Sequence, residues 1–192
     1  MTRRTISLLV TATLIVSGAP ARAAELLSVS VDKKDGLYYV VSEVWMDVAQ
    51  APVYDVFADW DVATEFSSFI VESRNVGPDE DGVMGFYINN RGCVLFFCKS
   101  VIRAGVVESE PYHTLRAIAD PEESDFEISE EIWTFRREDN GTVVRYENIM
   151  KPKFWIPPLI GPYLMKRKLT RDGGDAMDRI ENIAREWETA GD

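Results

Sequence analysis

The chain has 192 residues, of which 46% are apolar and 28% are charged, the balance of a globular protein with one domain or at most two small ones. Its 32 acidic and 21 basic side chains give a net charge of −11, which argues against nucleic acid as a partner, because that affinity comes from neutralising phosphates with Lys and Arg. With two cysteines and one histidine, a Cys/His zinc site is nearly excluded, and a serine or cysteine triad would depend on His113 alone.

The first 23 residues have the three parts of a secretory signal peptide. The basic pair Arg3-Arg4 is followed by the apolar run Ile6–Val16, which is too short to span a bilayer, and then by the cleavage pattern Ala21-Arg22-Ala23. No cysteine follows directly, so a lipid anchor is not expected. Cleavage would leave residues 24–192 as a single domain with a net charge of −14. We therefore predict an exported protein located in a bacterial periplasm.

The mature chain opens with a predicted β-hairpin followed by two short helices. Leu26–Val31 and Leu37–Val48 are rich in β-forming residues and are joined by a charged turn that ends in Asp-Gly. Pro52 favours a helix start, because its missing N–H costs nothing in the first turn, and a second helix is predicted over Val62–Ser67. The chain then alternates between β-rich runs and turns, which predicts strands over Phe69–Val76, Val83–Gly92, Lys99–Ser109, His113–Ala119, Glu127–Arg137 and Thr142–Lys151.

Short loops between consecutive strands predict an antiparallel sheet. One loop, Asp139-Asn140-Gly141, contains an Asn-Gly pair, which supplies the positive φ angles of a type I′ turn. The last element differs, because its apolar residues recur every three or four positions, as on one face of a helix of about 25 residues. That face consists of Leu169, Gly173, Ala176, Ile180, Ile183, Ala184 and Trp187. We predict an α+β helix-grip fold, with a curved antiparallel sheet wrapped around a long C-terminal helix and two short helices after the first strand.

Several segments resemble the START / polyketide cyclase-dehydrase (SRPBCC) superfamily, and most closely the coenzyme Q-binding START-type domains of exported bacterial proteins. The resemblance is carried by Ala51-Pro52 with Val56-Phe57, by Trp133-Thr134-Phe135, by Gly141–Tyr146 and by Phe154–Pro162. It implies the helix-grip fold and a deep apolar cavity that holds a lipid, an isoprenoid quinone, a sterol or a polyketide. It also implies that few members are enzymes, so the function must be argued from the site.

Alternation along the strands selects side chains for the wall of this cavity. The selected residues are Met84, Phe86 and Ile88, then Trp133 and Phe135, and then Val144, Tyr146, Asn148 and Met150. They form either ordinary core or ligand contacts, and buried Tyr146 and Asn148 need hydrogen-bond partners in either case. On the C-terminal helix the candidates are Leu169, Gly173 and Met177, where Gly173 either leaves room for a ligand or marks a kink.

Alternate loops of an antiparallel sheet lie at the same end, so the turn at 94–97, the acidic loop at 120–125 and the loop at 152–162 are expected to cluster. The apolar candidates in these loops are Phe97, Phe154, Trp155 and Ile156. They either fold inward as core or form a hydrophobic gate, meaning an apolar cover over the cavity mouth. The Lys166-Arg167-Lys168 cluster beside them is either a solvated helix turn or a site of transient contact with an anionic membrane surface.

The two cysteines, Cys93 and Cys98, lie five residues apart, which corresponds to about 16 Å in a straight strand but is within disulfide reach across a hairpin. Export favours a disulfide, which would stiffen the gate. His113 follows a predicted turn and is given no catalytic role. The acidic residues of 120–131 lack EF-hand spacing and are expected to be solvated, with calcium binding as the alternative.

The first functional hypothesis is non-enzymatic binding or transport of a hydrophobic small molecule, with no catalytic residue, no metal and no cofactor. The alternative is an aromatase/cyclase-like enzyme acting on a bound polyketide-like substrate. That enzyme would need an acid or base within reach of the cavity, for which Tyr146, Glu131 and Arg103 are the candidates. A structural or interaction module is a third interpretation, which a filled cavity would favour.

Overall fold

Eight antiparallel strands form one sheet within the part of the chain that the computed structural model describes, residues 24–94, 97–156 and 161–190. The strands are β1 (Glu25–Lys34), β2 (Leu37–Met46), β3 (Ile70–Val76), β4 (Gly85–Val94), β5 (Phe97–Glu110), β6 (Thr114–Ala119), β7 (Phe126–Glu138) and β8 (Gly141–Pro152). The helices are α1 (Gln50–Ala58), α2 (Ala63–Phe66) and α3 (Gly161–Ala190), with a 3₁₀ turn at Trp60–Val62. The helix-grip prediction is confirmed, except that the short helices follow the second strand.

The strand order is β1-β2-β8-β7-β6-β5-β4-β3, so β1 and β3 are the edge strands. Apart from the β2–β8 pair, neighbouring strands are consecutive in the chain, which the short loops predicted. The helix α3 packs against β1, β2, α1 and α2. The space between α3 and the sheet is where the site described below lies.

Two turns show how local chemistry fixes the strand pairing. Asp35-Gly36 has positive φ at both residues, 52° and 83°, as a type I′ hairpin requires. The prediction that Asn140-Gly141 does the same between β7 and β8 is wrong, since the positive φ falls on Asp139 at 52°. Gly141 instead lies in β8, where an added Cβ would come within 2.2 Å of the carbonyl oxygen of Met46. Glycine is therefore needed there for close backbone approach.

The core is centred on the second half of α3. Ile180 is only 2% exposed and Ala184 is fully buried, and both belong to a cluster with side chains of α1 and the sheet. The sheet and α1 supply Val44, Met46, Val53, Tyr54, Val56, Leu115, Phe135 and Val144 to this cluster. Before Ile180, the described residues of α3 include one that is buried, Gly161. The helix is therefore anchored by its C-terminal half, while its N-terminal half covers the sheet loosely.

Candidate functional site

A cavity of about 380 Å³ lies between the sheet and residues 165–180 of α3. Its wall is mainly apolar and is formed by β1, β2, the short helices, β3, β4, β5, β7, β8 and α3. The residues contributed by the sheet and the short helices include Leu26, Val29, Val44, Phe57, Trp60, Phe66, Phe69, Ile70, Ile88, Trp133 and Val144. A volume of this size falls within the range of about 300–1,000 Å³ that is usual for small-molecule sites.

One helix face closes the cavity. It presents Met165, Leu169, Gly173, Ala176, Met177 and Ile180, which follow one another at the spacing of a helical stripe. A Cβ added at Gly173 or at the adjacent Gly174 would meet no atom within 4 Å, so both glycines face open space. This supports the interpretation that Gly173 leaves room in the cavity.

Four polar side chains, which we call the polar cluster, lie in and behind the cavity wall: Arg103, Glu131, Tyr146 and Asn148. Glu131 Oε1 accepts hydrogen bonds from the Tyr146 hydroxyl at 2.6 Å and from Asn148 Nδ2 at 2.8 Å, and the Arg103 guanidinium forms an ion pair with the same oxygen. Glu131 and Asn148 are register partners across β7 and β8. The Arg103 and Glu131 side chains are only 15% and 5% exposed, so the pair is largely desolvated.

Burial and neighbouring charges determine the protonation states of Tyr146 and Arg103. Burial raises the pKa of Tyr146 well above its usual value, and the negative charge of Glu131 raises it further. Burial, the largest single effect, lowers the pKa of Arg103, but the charges and hydrogen bonds of Glu131 and Tyr146 together outweigh it, so the net pKa is raised. Tyr146 therefore stays a neutral donor and Arg103 stays a cation at physiological pH.

Two buried polar atoms at the site lack a hydrogen-bond partner among the described residues. One is the indole N–H of Trp60, a residue that lines the cavity, and the other is the amide oxygen of Asn148 in the polar cluster. Buried polar groups in folded proteins almost always have a partner. The Trp60 N–H, on a lining residue, is thus available to a bound molecule, and the Asn148 oxygen, on a residue that does not line the cavity, is available to ordered water.

The predicted site residues fall into two groups. Those that line the cavity are Ile88, Trp133, Tyr146, Leu169, Gly173 and Met177, together with Val144. Phe86 lies behind the wall, because the ring of Trp60 stacks on it at 4.4 Å, and Phe135 packs against Tyr54 and Phe57. Asn148 does not line the cavity itself, but its side chain donates to Glu131 and Tyr146, which do. Met150 is half-buried away from the lining, and Met84 is 44% exposed just before β4.

Of the predicted gate, Phe154, Trp155 and Ile156 are not among the described residues that line the cavity. The ring of Phe154 packs on Phe126 at 5.9 Å, with Lys99 Nζ 4.5 Å from its centroid. Trp155 is 79% exposed, and Ile156 packs against Gly161 at the start of α3. The side chain of Phe97 and residues 95–96 lie outside the described part of the chain.

The acidic loop and the start of the 152–162 loop do meet at one end of the sheet, as expected. The backbone N–H of Lys153 donates to the carbonyl oxygen of Asp125 at 2.9 Å, and Lys99 forms an ion pair with the Asp125 carboxylate at 3.7 Å. These contacts hold the base of the exposed Trp155 segment against the sheet. Trp155 itself remains in solvent.

Sequence reasoning missed several lining residues. Phe57, Phe66, Phe69, Ile70 and Met165 were not selected, although they lie on the wall. Arg103 was considered for catalysis alone, and Glu131 for catalysis and as one of the solvated acids of 120–131; the latter prediction is wrong for Glu131, which is only 4% exposed. The alternation that selects Trp133 and Phe135 also reaches Glu131, two residues earlier in β7, so a signal for a buried acid was present.

The cysteine pair lies at the β4–β5 turn. Cys98 is disulfide-bonded, and Cys93, the other cysteine of the chain, is its register partner across the two strands. His113 is exposed beside the β5–β6 turn. Within the described ranges, no three His, Cys, Asp or Glu side chains are grouped so that they could hold a metal ion.

A second surface lies on the outer side of α3, where Tyr163, Lys166, Arg167, Thr170 and Arg171 surround a shallow depression. Tyr163 is 64% exposed. The side chain of Lys168 and the predicted signal peptide, residues 1–23, lie outside the described residues. None of the described helices is long and apolar enough to cross a membrane.

No protein-family model matches the sequence. A search of curated proteins found no match either. Solved structures do match the fold. A START superfamily protein from Mycobacterium smegmatis superposes with a TM-score of 0.60 at 12% identity, covering 76% of this chain and 98% of that one. A protein from Thermus thermophilus gives 0.57 at 18% identity, covering 77% and 97%.

The Zhui aromatase/cyclase from Streptomyces sp. R1128 superposes with a TM-score of 0.58 at 9% identity, covering 78% of this chain and 94% of that one. Identities this low carry information about the fold alone. The chain therefore has the helix-grip fold of START superfamily proteins and polyketide aromatase/cyclases, as the sequence resemblance predicted.

Proposed function

We propose that the protein binds and carries a hydrophobic small molecule without chemically changing it. The observation that carries this proposal is the apolar cavity of about 380 Å³ beneath α3. An unfilled space of this kind is unusual in a protein interior, which is normally packed as densely as an organic crystal. A purely structural module would have no reason to retain it.

The polar cluster suggests that the ligand is amphipathic. Arg103 and the Trp60 indole, both on residues that line the cavity, can donate hydrogen bonds from a wall that is mainly apolar. A lipid or an isoprenoid quinone has the matching form, with an oxygen-bearing head on an apolar chain. Coenzyme Q, which the sequence resemblance implies, is one member of this class.

An aromatase/cyclase-like activity is the second candidate, because Arg103, Glu131 and Tyr146 are acid–base groups at the cavity. The same contacts weigh against it. One oxygen of Glu131 is already engaged by three donors, and burial raises the pKa of Tyr146 well above its usual value, which makes the hydroxyl a poorer acid. A general acid or base works best with a pKa near the operating pH.

We further propose that the protein acts after export, as a single domain over residues 24–192, and meets its ligand at a membrane surface. The exposed Trp155 and Tyr163 and the cations Lys166 and Arg167 have the composition of an interfacial docking patch. The rest of the chain is strongly acidic, with a net charge of −11 overall. A local basic surface on such a protein favours contact with anionic lipid headgroups.

The proposal is tested by identifying the small molecule that is purified together with the protein. The full chain is expressed in a bacterium, purified without detergent and extracted with organic solvent for mass spectrometry. We expect a lipid or quinone in near-stoichiometric amount, and its loss in the variant Gly173→Leu. A ligand-free protein that also fails to take up fluorescent lipid and quinone analogues from vesicles would overturn the proposal, and turnover of a poly-β-ketone analogue would establish the alternative.

A further inference from the structure

The first described residue is tied to the C-terminal helix. The backbone nitrogen of Ala24 donates to Asp178 Oδ1 at 3.0 Å, in a partly buried setting. Ala24 directly precedes the edge strand β1, and Asp178 lies on α3 next to Met177. Both Ala24 and Met177 line the cavity, so this bond joins the two elements at the cavity wall.

The nitrogen of Ala24 belongs to the bond that the Ala21-Arg22-Ala23 pattern marks for cleavage. Hydrolysis by a signal-removing peptidase breaks the bond between the Ala23 carbonyl carbon and the Ala24 nitrogen. Water supplies the hydroxyl of the new Ala23 carboxyl group and a proton to the nitrogen, which takes up a further proton from solvent. The nitrogen that now donates one neutral N–H would then be an α-ammonium with three donors, because its pKa of about 7.7–8.0 rises beside a carboxylate.

The surroundings of Asp178 carry an excess of negative charge. Glu181 is 2% exposed, its ion pair with Arg185 measures 2.6 Å, and its second oxygen has no hydrogen-bond partner in the described chain. Arg185 also donates to the carbonyl oxygen of Asp47 at 3.1 Å. Burial raises the pKa of Glu181, and the charges of Asp47 and Asp178 add to that rise, which the Arg185 cation opposes. The carboxylates of Asp47 and Asp178 therefore both act on Glu181, whose carboxylate is paired with Arg185.

We propose that Ala24 is the mature N-terminus and that its α-ammonium forms an ion pair with Asp178, fastening β1 to α3 beside the cavity. Processing thus adds a positive charge where the fold has an excess of carboxylates. It also replaces a hydrogen bond from a neutral amide N–H to the Asp178 carboxylate with an ion pair in which both partners are charged. β1 is an edge strand whose sheet partner is β2 alone, so this bond gives it a second attachment. The proposal concerns maturation and holds whatever the ligand is.

The processing site is tested directly. The full chain is exported from a bacterial host, and the N-terminus of the purified protein is sequenced. We expect Ala24-Glu25-Leu26. Any other N-terminus, or an unprocessed chain, overturns the proposal.

The ion pair is tested by comparing two chains that begin at different residues. All described helices and strands begin after Ala24, so chains starting at Ala24 and at Ala23 can be released without extra residues from a fusion. The chain from Ala23 keeps the hydrogen bond from the Ala24 amide N–H to Asp178 but moves the ammonium one residue away, about 3.8 Å along the backbone. Asp178→Asn is introduced into both chains, with Asp175→Asn at an exposed position of α3 as the matched loss of one negative charge.

We expect Asp178→Asn to lower the Tm by about 2–4 °C more in the chain from Ala24 than in the chain from Ala23. The difference should shrink in high salt, because a partly exposed ion pair is screened. Asp175→Asn should affect both chains equally. Equal losses for Asp178→Asn in the two chains would overturn the ion pair, even if sequencing places the N-terminus at Ala24.

Discussion

Filling the cavity from the helix side should raise stability and weaken binding in the same variant. Gly173 lies in the interior of α3, where glycine is less favourable than an ordinary helix former by about 1 kcal/mol. A Cβ at this position meets nothing within 4 Å, so Gly173→Leu can be accommodated, with four added carbons pointing into a cavity of about 380 Å³. We expect the free energy of unfolding to rise by about 1 kcal/mol and the Tm by about 2–4 °C.

Uptake of a fluorescent quinone or lipid analogue from vesicles, measured beside the thermal melt, gives the second half of the test. We expect uptake to fall several-fold. Asp175→Leu is the matched control, because it places the same side chain two residues away at an exposed position of the same helix. A Gly173→Leu protein that is more stable yet still loads normally would show that the ligand does not occupy this cavity. A large loss of stability would show that the space beside Gly173 is not available.

Three further variants or measurements test the fold, the disulfide and the docking patch. Ile180→Ala should lower the free energy of unfolding by about 2–5 kcal/mol, because Ile180 is 2% exposed in the core, and a loss under about 0.5 kcal/mol in a denaturant titration would contradict that placement. Thiol titration of the unfolded, unreduced protein should find no free thiol on Cys93 or Cys98, whereas two thiols would refute the bridge. Trp155→Asp should leave unfolding within about 0.5 kcal/mol of the parent, since Trp155 is 79% exposed, and should reduce transfer from anionic vesicles. Unchanged transfer would show that Trp155 does not take part in the docking patch.

The architecture could be predicted because its signals are local. The alternating pattern of β8 predicted a strand over Thr142–Lys151, and the structure extends it by one residue at each end, to Gly141 and Pro152. The apolar stripe of α3 likewise gave the buried positions Ile180 and Ala184. Turn chemistry was less reliable at Gly141, because a glycine that permits close backbone approach and one that permits positive φ look alike in sequence.

The cavity wall was predicted only in part, for a geometric reason. Alternation tells which face of the sheet a side chain lies on, but it does not tell whether another side chain comes between it and the cavity. Phe86 and Ile88 share a face of β4, yet the ring of Trp60 from the 3₁₀ turn stacks on Phe86, while Ile88 remains at the wall. Residues such as Phe66, from a four-residue helix, reach the wall through tertiary packing that no periodic pattern encodes.

The polar cluster could not be predicted from the sequence either, because its residues come together only in the folded sheet. It also favours ligand binding over a purely structural role for this site. Arg103 lies on β5 and Glu131 on β7, with β6 between them, so their pairing depends on the assembled sheet. A desolvated ion pair contributes little to stability, and apolar replacements of similar volume are often as stable or more so. Stability alone therefore gives no reason to place this cluster against an apolar cavity. Together with the unpartnered Trp60 indole on the cavity wall, it is better explained by a ligand whose polar head bonds to these groups.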